Sequence, residues 1–119
     1  MRAVLEAIAF QTRQLVELLG AAGIAVSELR VDGGATGNGF LMRSLADVLG
    51  VPVVRPEMAE LTAAGAAGIA GIAADFWTSR DDFADRLGPR RAFLPSGTLR
   101  DEEYARWRDA VERSRNWAP

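Results

Sequence analysis

Apolar residues recur along this chain with helical spacing in some segments and in short continuous runs in others. In the first half this pattern predicts a helix over residues 3–20, a strand over 29–32, a helix over 38–49 and a strand over 51–54. Glycines end both helices, near Gly20 and at Gly50. Two short strands joined by one helix predict a parallel, right-handed strand–helix–strand unit, and therefore an α/β fold.

The second half begins with a predicted helix of unusual composition over residues 61–77. It contains Gly65, Gly68 and Gly71, and a glycine inside a helix costs about 1 kcal/mol relative to alanine. We therefore expect a sheet or another helix to approach its backbone closely. A membrane span is the alternative interpretation, but a span needs roughly 20 apolar residues and this run is shorter.

The chain becomes more polar from residue 78. Its pattern predicts a polar turn with a short helix over 81–91, a brief extended segment over 93–95 and a charged helix over 100–117. The last helix carries a packing stripe of Tyr104, Trp107, Ala110 and Val111. The three tryptophans are expected to anchor the core, at Trp77, Trp107 and Trp117.

The net charge and the composition argue against several classes of function. The net charge of -2 argues against a nucleic-acid partner and against an anionic membrane surface. The chain contains no Cys, His or Lys, which excludes thiol and imidazole chemistry, the usual zinc ligands and a P-loop lysine. Met1 leads into an amphipathic stretch rather than a secretory signal, so we expect a cytoplasmic protein. The side chains that remain available favour a binding role over catalysis.

One segment, residues 31–39, combines the features of a ligand site. Gly33 and Gly34 permit positive φ and close approach of a ligand, and the following helix offers backbone N–H groups and the positive end of its dipole. The glycine spacing is neither the Walker nor the Rossmann pattern. On spacing alone, an ordinary strand-to-helix turn explains the glycines equally well.

The remaining charged residues have structural interpretations. Asp32 is expected to cap the turn through nearby backbone N–H groups, and Glu57 and Glu60 to interact with the positive end of a helix. Arg90 and Arg91 are interpreted as a solvated turn rather than a phosphate site. We therefore predict no catalytic residue and no metal site in this chain.

Residues 29–77 resemble the C-terminal signature of the FGGY carbohydrate kinase family, which includes glycerol kinases and xylulokinases. The resemblance is carried by LRVDGGATGNGFLMRSLADVLGVPVVRPE and ELTAAGAAGIAGIAADFW. The lead helix, AVLEAIAFQTRQLVE, is similar to the family's, and AFLP followed by YARWRDAVERSRNW resembles the last segment of glycerol kinases. Two positions depart from the family pattern: Gly39 replaces a frequent second Asn, which weakens the polar edge of the pocket, and Ala64 replaces the usual Leu.

The resemblance implies a partial actin-like (ribonuclease H-like) ATPase domain, built from short parallel strands with three helices and a C-terminal helical tail. Residues 1–78 would form the C-terminal half of the second kinase domain, and residues 79–119 a helical extension. Since no capping residue precedes the first helix, we also expect a missing N-terminal kinase portion. The substrate-binding residues, the catalytic aspartate and the phosphate loop would lie there.

The resemblance also implies a ligand. Gly33, Gly34 and Ala35 would lie against an adenine nucleotide, and Asn38 would offer a donor and an acceptor to the adenine. The whole protein would use ATP and Mg²⁺ to phosphorylate glycerol, whereas the chain alone would be inactive.

Three alternatives stay open at this point: a non-catalytic truncated module that binds a nucleotide or a partner, a structural oligomer, and another sugar kinase such as a xylulokinase. Two short parallel strands cannot cover both faces of a sheet, so we also expect self-association.

Overall fold

The computed structural model describes residues 1–58 and 60–115. Its elements are, in order, α1 Arg2–Ala21, β1 Leu29–Arg30, α2 Gly39–Leu49, β2 Val53–Pro56, α3 Leu61–Ala73, α4 Arg80–Ala84, β3 Arg90–Phe93 and α5 Asp101–Ser114. Two short 3-10 helices lie before α2 and after α4, over Gly34–Gly37 and Asp85–Leu87. The described part of the chain is therefore an α/β structure, as the apolar pattern predicts.

The three strands form one mixed sheet in the order β1–β2–β3. β1 and β2 pair in parallel, with Leu29 opposite Val53, so the predicted strand–helix–strand unit is confirmed. β3 pairs antiparallel with β2, so the expectation of parallel strands alone is wrong, as is the interpretation of Arg90 and Arg91 as a turn. Phe93 is the single buried residue of β3. This edge strand therefore lacks the alternation of apolar and polar residues by which a strand is predicted from sequence.

α2 supplies half of the buried apolar residues of the core. Its buried apolar side chains are Leu41, Met42, Leu45, Ala46 and Val48. They belong to one cluster with Ala9 and Phe10 of α1, Val53 of β2, Phe93 of β3 and Tyr104 of α5. Because α1, β2 and β3 all pack against α2, this helix is held in place against the sheet.

α5 docks on α1 through aromatic rings and charges. The Phe10 ring lies 5.9 Å from Tyr104 and 5.7 Å from Trp107, which confirms the packing roles predicted for these two aromatic residues. Glu6 pairs with Arg100 at 2.8 Å. Burial acts to raise the pKa of Glu6, but hydrogen bonds from Arg2 and Arg100 outweigh it and leave that pKa below its usual value.

Aromatic rings occupy the space that two glycines of α3 leave open. A Cβ added at Gly68 would overlap the Phe83 ring of α4, and one at Gly71 would overlap the Trp77 ring. The predicted close approach is confirmed, although side chains rather than backbone make it. Trp77 therefore anchors this small cluster and not the main core. No helix in the described ranges has the length and apolarity needed to cross a membrane.

Several boundaries differ from the predicted ones. α3 ends at Ala73 because the Phe76 N–H donates to the Gly71 carbonyl at 2.8 Å and turns the chain back. α5 is described as far as Ser114, and Trp117 lies outside the described residues. The division of the chain at residue 78 stays a prediction, although β3, which follows that residue, is part of the sheet.

Candidate functional site

The predicted site lies at the carboxyl end of β1, where the chain leaves the sheet and enters α2. Gly33 has φ 89° and ψ 171°, a conformation that residues with a side chain rarely adopt. Gly34 has no such constraint, and a Cβ there would meet no atom within 4 Å. Gly33 is therefore required by the backbone, whereas Gly34 leaves open space beside the turn.

The turn is closed by its own hydrogen bonds. Thr36 donates to the Gly33 carbonyl twice, from its N–H at 3.0 Å and from its hydroxyl at 2.7 Å. The Asn38 N–H donates to the Ala35 carbonyl at 3.1 Å. The side chain that closes the turn is that of Thr36, which donates to a carbonyl, and not the Asp32 carboxylate, which the sequence predicts to accept from backbone N–H groups. Sequence reasoning missed Thr36, although hydroxyl side chains commonly close such turns.

Asn38 is the N-cap of α2. Its side-chain oxygen accepts hydrogen bonds from the N–H groups of Phe40 at 3.0 Å and Leu41 at 3.2 Å. Both lone pairs of that oxygen are thus engaged, and the exposed side chain presents its NH₂ group to solvent. With the oxygen used for the cap, the NH₂ group is the part of this side chain left to contact a ligand, and the nucleotide role of Asn38 stays a prediction.

Arg55 reaches the turn from β2. Its Nη1 donates a hydrogen bond to the Thr36 carbonyl, and its guanidinium lies over the Phe93 ring at 5.7 Å. Sequence reasoning did not identify this residue. The available signal is its place at the carboxyl end of a strand that runs parallel to β1, because the carboxyl ends of neighbouring parallel strands meet at one edge of the sheet.

Two cavities adjoin this edge of the sheet. The first, of about 260 Å³, is lined by the turn and by the segment after β2, including Gly33, Gly34, Thr36, Gly37, Arg55, Glu57 and Glu60. The second, of about 220 Å³, is lined by residues that include Arg30, Val31, Val54 and Leu87. Asp32 and Pro56 line both. Open α/β sheets bind ligands in the crevice beyond the carboxyl ends of their parallel strands.

The charges at the first cavity favour uncharged polar groups over phosphate. Three carboxylates line it, from Asp32, Glu57 and Glu60, against the single guanidinium of Arg55. In addition, Asn38 already occupies two N–H groups of the first turn of α2, which reduces what that helix can offer an anion. The arrangement suits a ribose or a base better than a phosphate chain.

The described residues do not form a self-contained metal cluster. In residues 1–58 and 60–115, no three carboxylates come close enough together to hold a metal ion. Mg²⁺ bound with a nucleotide commonly takes most of its oxygen ligands from phosphates and waters and only one or two from carboxylates.

Known proteins provide an independent comparison. Residues 1–74 match the model of the FGGY family of carbohydrate kinases, C-terminal domain. A curated glycerol kinase of Symbiobacterium thermophilum is 50% identical over 123 aligned residues, and one of Beijerinckia indica is 49% identical over 119. Each alignment covers 98% of this chain but 24% of the relative, so the chain spans about a quarter of their length.

Solved structures agree with the sequence comparison. Plasmodium falciparum glycerol kinase with ADP superposes with a TM-score of 0.75 and 33% identity, covering 94% of this chain and 23% of the other. A xyloylose kinase from Brucella ovis superposes with a TM-score of 0.76 and 30% identity, covering 98% and 25%. The chain therefore belongs to the FGGY family of carbohydrate kinases, and its residues 1–74 match the C-terminal domain of that family.

Proposed function

We propose that this chain supplies the adenosine side of the nucleotide site in an ATP-dependent polyol kinase of the glycerol kinase type. The observation that carries the proposal is the open turn at the carboxyl end of β1. There, space beside Gly34 adjoins a cavity of about 260 Å³. The structural relative from Plasmodium falciparum, a glycerol kinase solved with ADP, supports a nucleotide as the ligand.

Each site residue has a defined part in this proposal. Gly33 gives the turn its shape, and the bare backbone of Gly34 and Ala35 lets a nucleoside approach without meeting a large side chain. The Asn38 NH₂ donates to an acceptor nitrogen of the adenine while its oxygen caps α2. The carboxylates around the cavity accept from the ribose hydroxyls and direct the phosphates outwards.

The reaction itself belongs to the rest of the kinase. We propose an actin-like arrangement of two domains, in which a portion equivalent to the other three quarters of the relatives' length holds glycerol, Mg²⁺ and the aspartate that takes the hydroxyl proton. No residue described in this chain is assigned a catalytic role. Phosphorylation of another sugar or polyol, as by a xylulokinase, is the second candidate, favoured by the Brucella ovis neighbour.

The test is calorimetric titration of ADP into the purified chain and into Gly34→Val. A Cβ at this position meets no atom of the chain within 4 Å, so the variant should fold, but the valine side chain would occupy the space proposed for the nucleotide. We expect weak binding to the unsubstituted chain, since one wall of a cleft leaves much of a ligand in water, and none to the variant. Equal binding by both, with matching circular dichroism spectra, would refute the site. Asp81→Asn, on exposed α4, is the control and should bind as the unsubstituted chain does.

A further inference from the structure

The Arg55 side chain lies in surroundings that are energetically unfavourable for a positive charge. Arg55 lies directly opposite Arg91 in the β2–β3 register, and like charges facing each other across strands are destabilising. Its Nε is buried and, among the residues the structure describes, has no hydrogen-bond partner. A buried donor without a partner costs free energy as well.

The contact that Arg55 does make is directed at the glycine turn. Nη1 donates to the carbonyl of Thr36, and the same Thr36 closes the turn through its two bonds to the Gly33 carbonyl. Arg55 and Thr36 are 19 residues apart in the chain, so this bond ties the turn to the neighbouring strand. The Phe93 ring beneath the guanidinium holds the side chain in place.

The turn needs such a restraint. Three of its five residues, Gly33–Gly37, are glycines, which lose more conformational entropy on ordering than any other residue. A binding loop that is ordered before its ligand arrives avoids that loss at the binding step.

We infer that Arg55 is the positioning residue of the nucleotide turn: from β2 it holds the Thr36 carbonyl, and so keeps Gly33 and Gly34 in the conformation that admits a nucleoside. Arg55 also lines the cavity of about 260 Å³, but its positioning role is exerted through the Thr36 carbonyl. The nucleotide part of this inference rests on the proposed function, whereas the ordering of the turn can be measured without any ligand.

The experiment compares Arg55→Met, Arg55→Lys and Arg91→Met by NMR-detected amide exchange and by ADP titration. Arg55→Met should speed exchange at the Thr36 and Asn38 amides about tenfold, since hydrogen bonds to charged groups are the stronger ones, and leave the middle of α2 unchanged. It should weaken ADP binding by a similar factor. Arg55→Lys should restore part of both effects because an ammonium can still donate to the Thr36 carbonyl.

Arg91→Met is the matched control. Arg91 is the exposed arginine that faces Arg55 across the β2–β3 pair, and its guanidinium also lies over the Phe93 ring, at 5.1 Å. Its substitution therefore removes a comparable charge without removing a hydrogen bond to the turn. Unchanged exchange at Thr36 in Arg55→Met, or an equal acceleration in Arg91→Met or throughout α2, would overturn the inference. If the unsubstituted chain binds no ADP, the proposed nucleotide site fails, and the exchange comparison still decides whether Arg55 orders the turn.

Discussion

The hydroxyl of Tyr104 on α5 donates a hydrogen bond to the Glu17 carboxylate on α1, with 2.7 Å between the two oxygens. Burial and this carboxylate raise the pKa of Tyr104 to about 12. An unfolded tyrosine ionises near pH 10, so from about pH 10 to 12 the folded chain keeps a proton that the unfolded chain loses. The stabilising contribution of Tyr104 is therefore complete below pH 10 and is lost as the pH rises through 12.

Tyr104 is the single tyrosine of the chain, so its ionisation can be followed directly by absorbance near 295 nm. Glu17→Gln should lower the titration midpoint, because it removes the negative charge that opposes a tyrosinate. Glu112→Gln, which removes an exposed carboxylate at the far end of α5, should leave the midpoint unchanged. Identical midpoints in all three proteins would mean that Glu17 does not contribute.

The cap function of Asn38 can be separated from its function at the ligand. Asn38→Ser keeps an oxygen that can cap α2 but removes the NH₂ group, whereas Asn38→Ala removes both. In urea denaturation we expect Asn38→Ala to lose about 1 kcal/mol of unfolding free energy and Asn38→Ser much less. Both should weaken ADP binding. Full ADP affinity in Asn38→Ser would exclude the amide as a ligand contact.

The glycines of α3 provide a second matched pair. Gly65→Ala should raise the unfolding free energy by up to about 1 kcal/mol, since no atom lies within 4 Å of the added Cβ and alanine favours a helix. Gly68→Ala gains the same propensity but displaces the Phe83 ring, so it should be the less stable of the two. The measurement is urea denaturation of both variants. Equal stabilisation would mean that Phe83 does not pack on α3.

Sequence reasoning succeeded where local signals and packing agree. Asn38 at the start, an apolar stripe and Gly50 at the end define α2, and the structure places this helix at Gly39–Leu49 with Asn38 as its cap. In β3 the local sequence does not indicate a strand, because Arg90 and Arg91 are exposed and polar. The segment is a strand only because it pairs with β2. The early end of α3 likewise depends on the hydrogen bond from the Phe76 N–H to the Gly71 carbonyl, which brings Trp77 back onto Gly71 and which helical periodicity does not encode.

The features of the candidate site also fall into those that the local sequence predicts and those that depend on tertiary contacts. The position of the turn follows from its glycines and the adjoining helix, which are neighbours in the chain. The restraint by Arg55 depends on a partner 19 residues away, and so it requires knowledge of which strands lie side by side. The capping role of Asn38 is local, yet the family resemblance directed attention to its ligand role instead.

The chain alone should transfer no phosphate from ATP to glycerol. Phosphoryl transfer depends on positioning and on charge stabilisation around the transferred group, and the described residues hold neither a metal-ligand cluster nor an assigned base. A coupled assay for ADP release, run with glycerol and with a buffer blank, measures this. Turnover of the pure chain above the blank would contradict the proposed division of function.

The outer face of α1, defined as Val4, Ile8, Leu15 and Leu18, should drive self-association of the isolated chain. Three of these side chains are 65%, 63% and 66% exposed, at Val4, Leu15 and Leu18. Their spacing places them on one side of the helix, opposite the buried Ala9 and Phe10. An exposed apolar stripe of this kind, interrupted by Gln11, is typical of an interface.

The test is size-exclusion chromatography with light scattering on Leu15→Gln/Leu18→Gln. The unsubstituted chain should exceed the mass of a monomer in a concentration-dependent manner, and the double variant should move towards the monomer. Both positions face solvent, so the fold should not change. Leu94→Gln is the control: Leu94 is 70% exposed but follows β3, away from α1 in the chain, and its loss should leave the mass unchanged. If the unsubstituted chain is a monomer at high concentration, the outer face of α1 does not pair two copies, and the stripe has to be explained by contact with another part of a kinase.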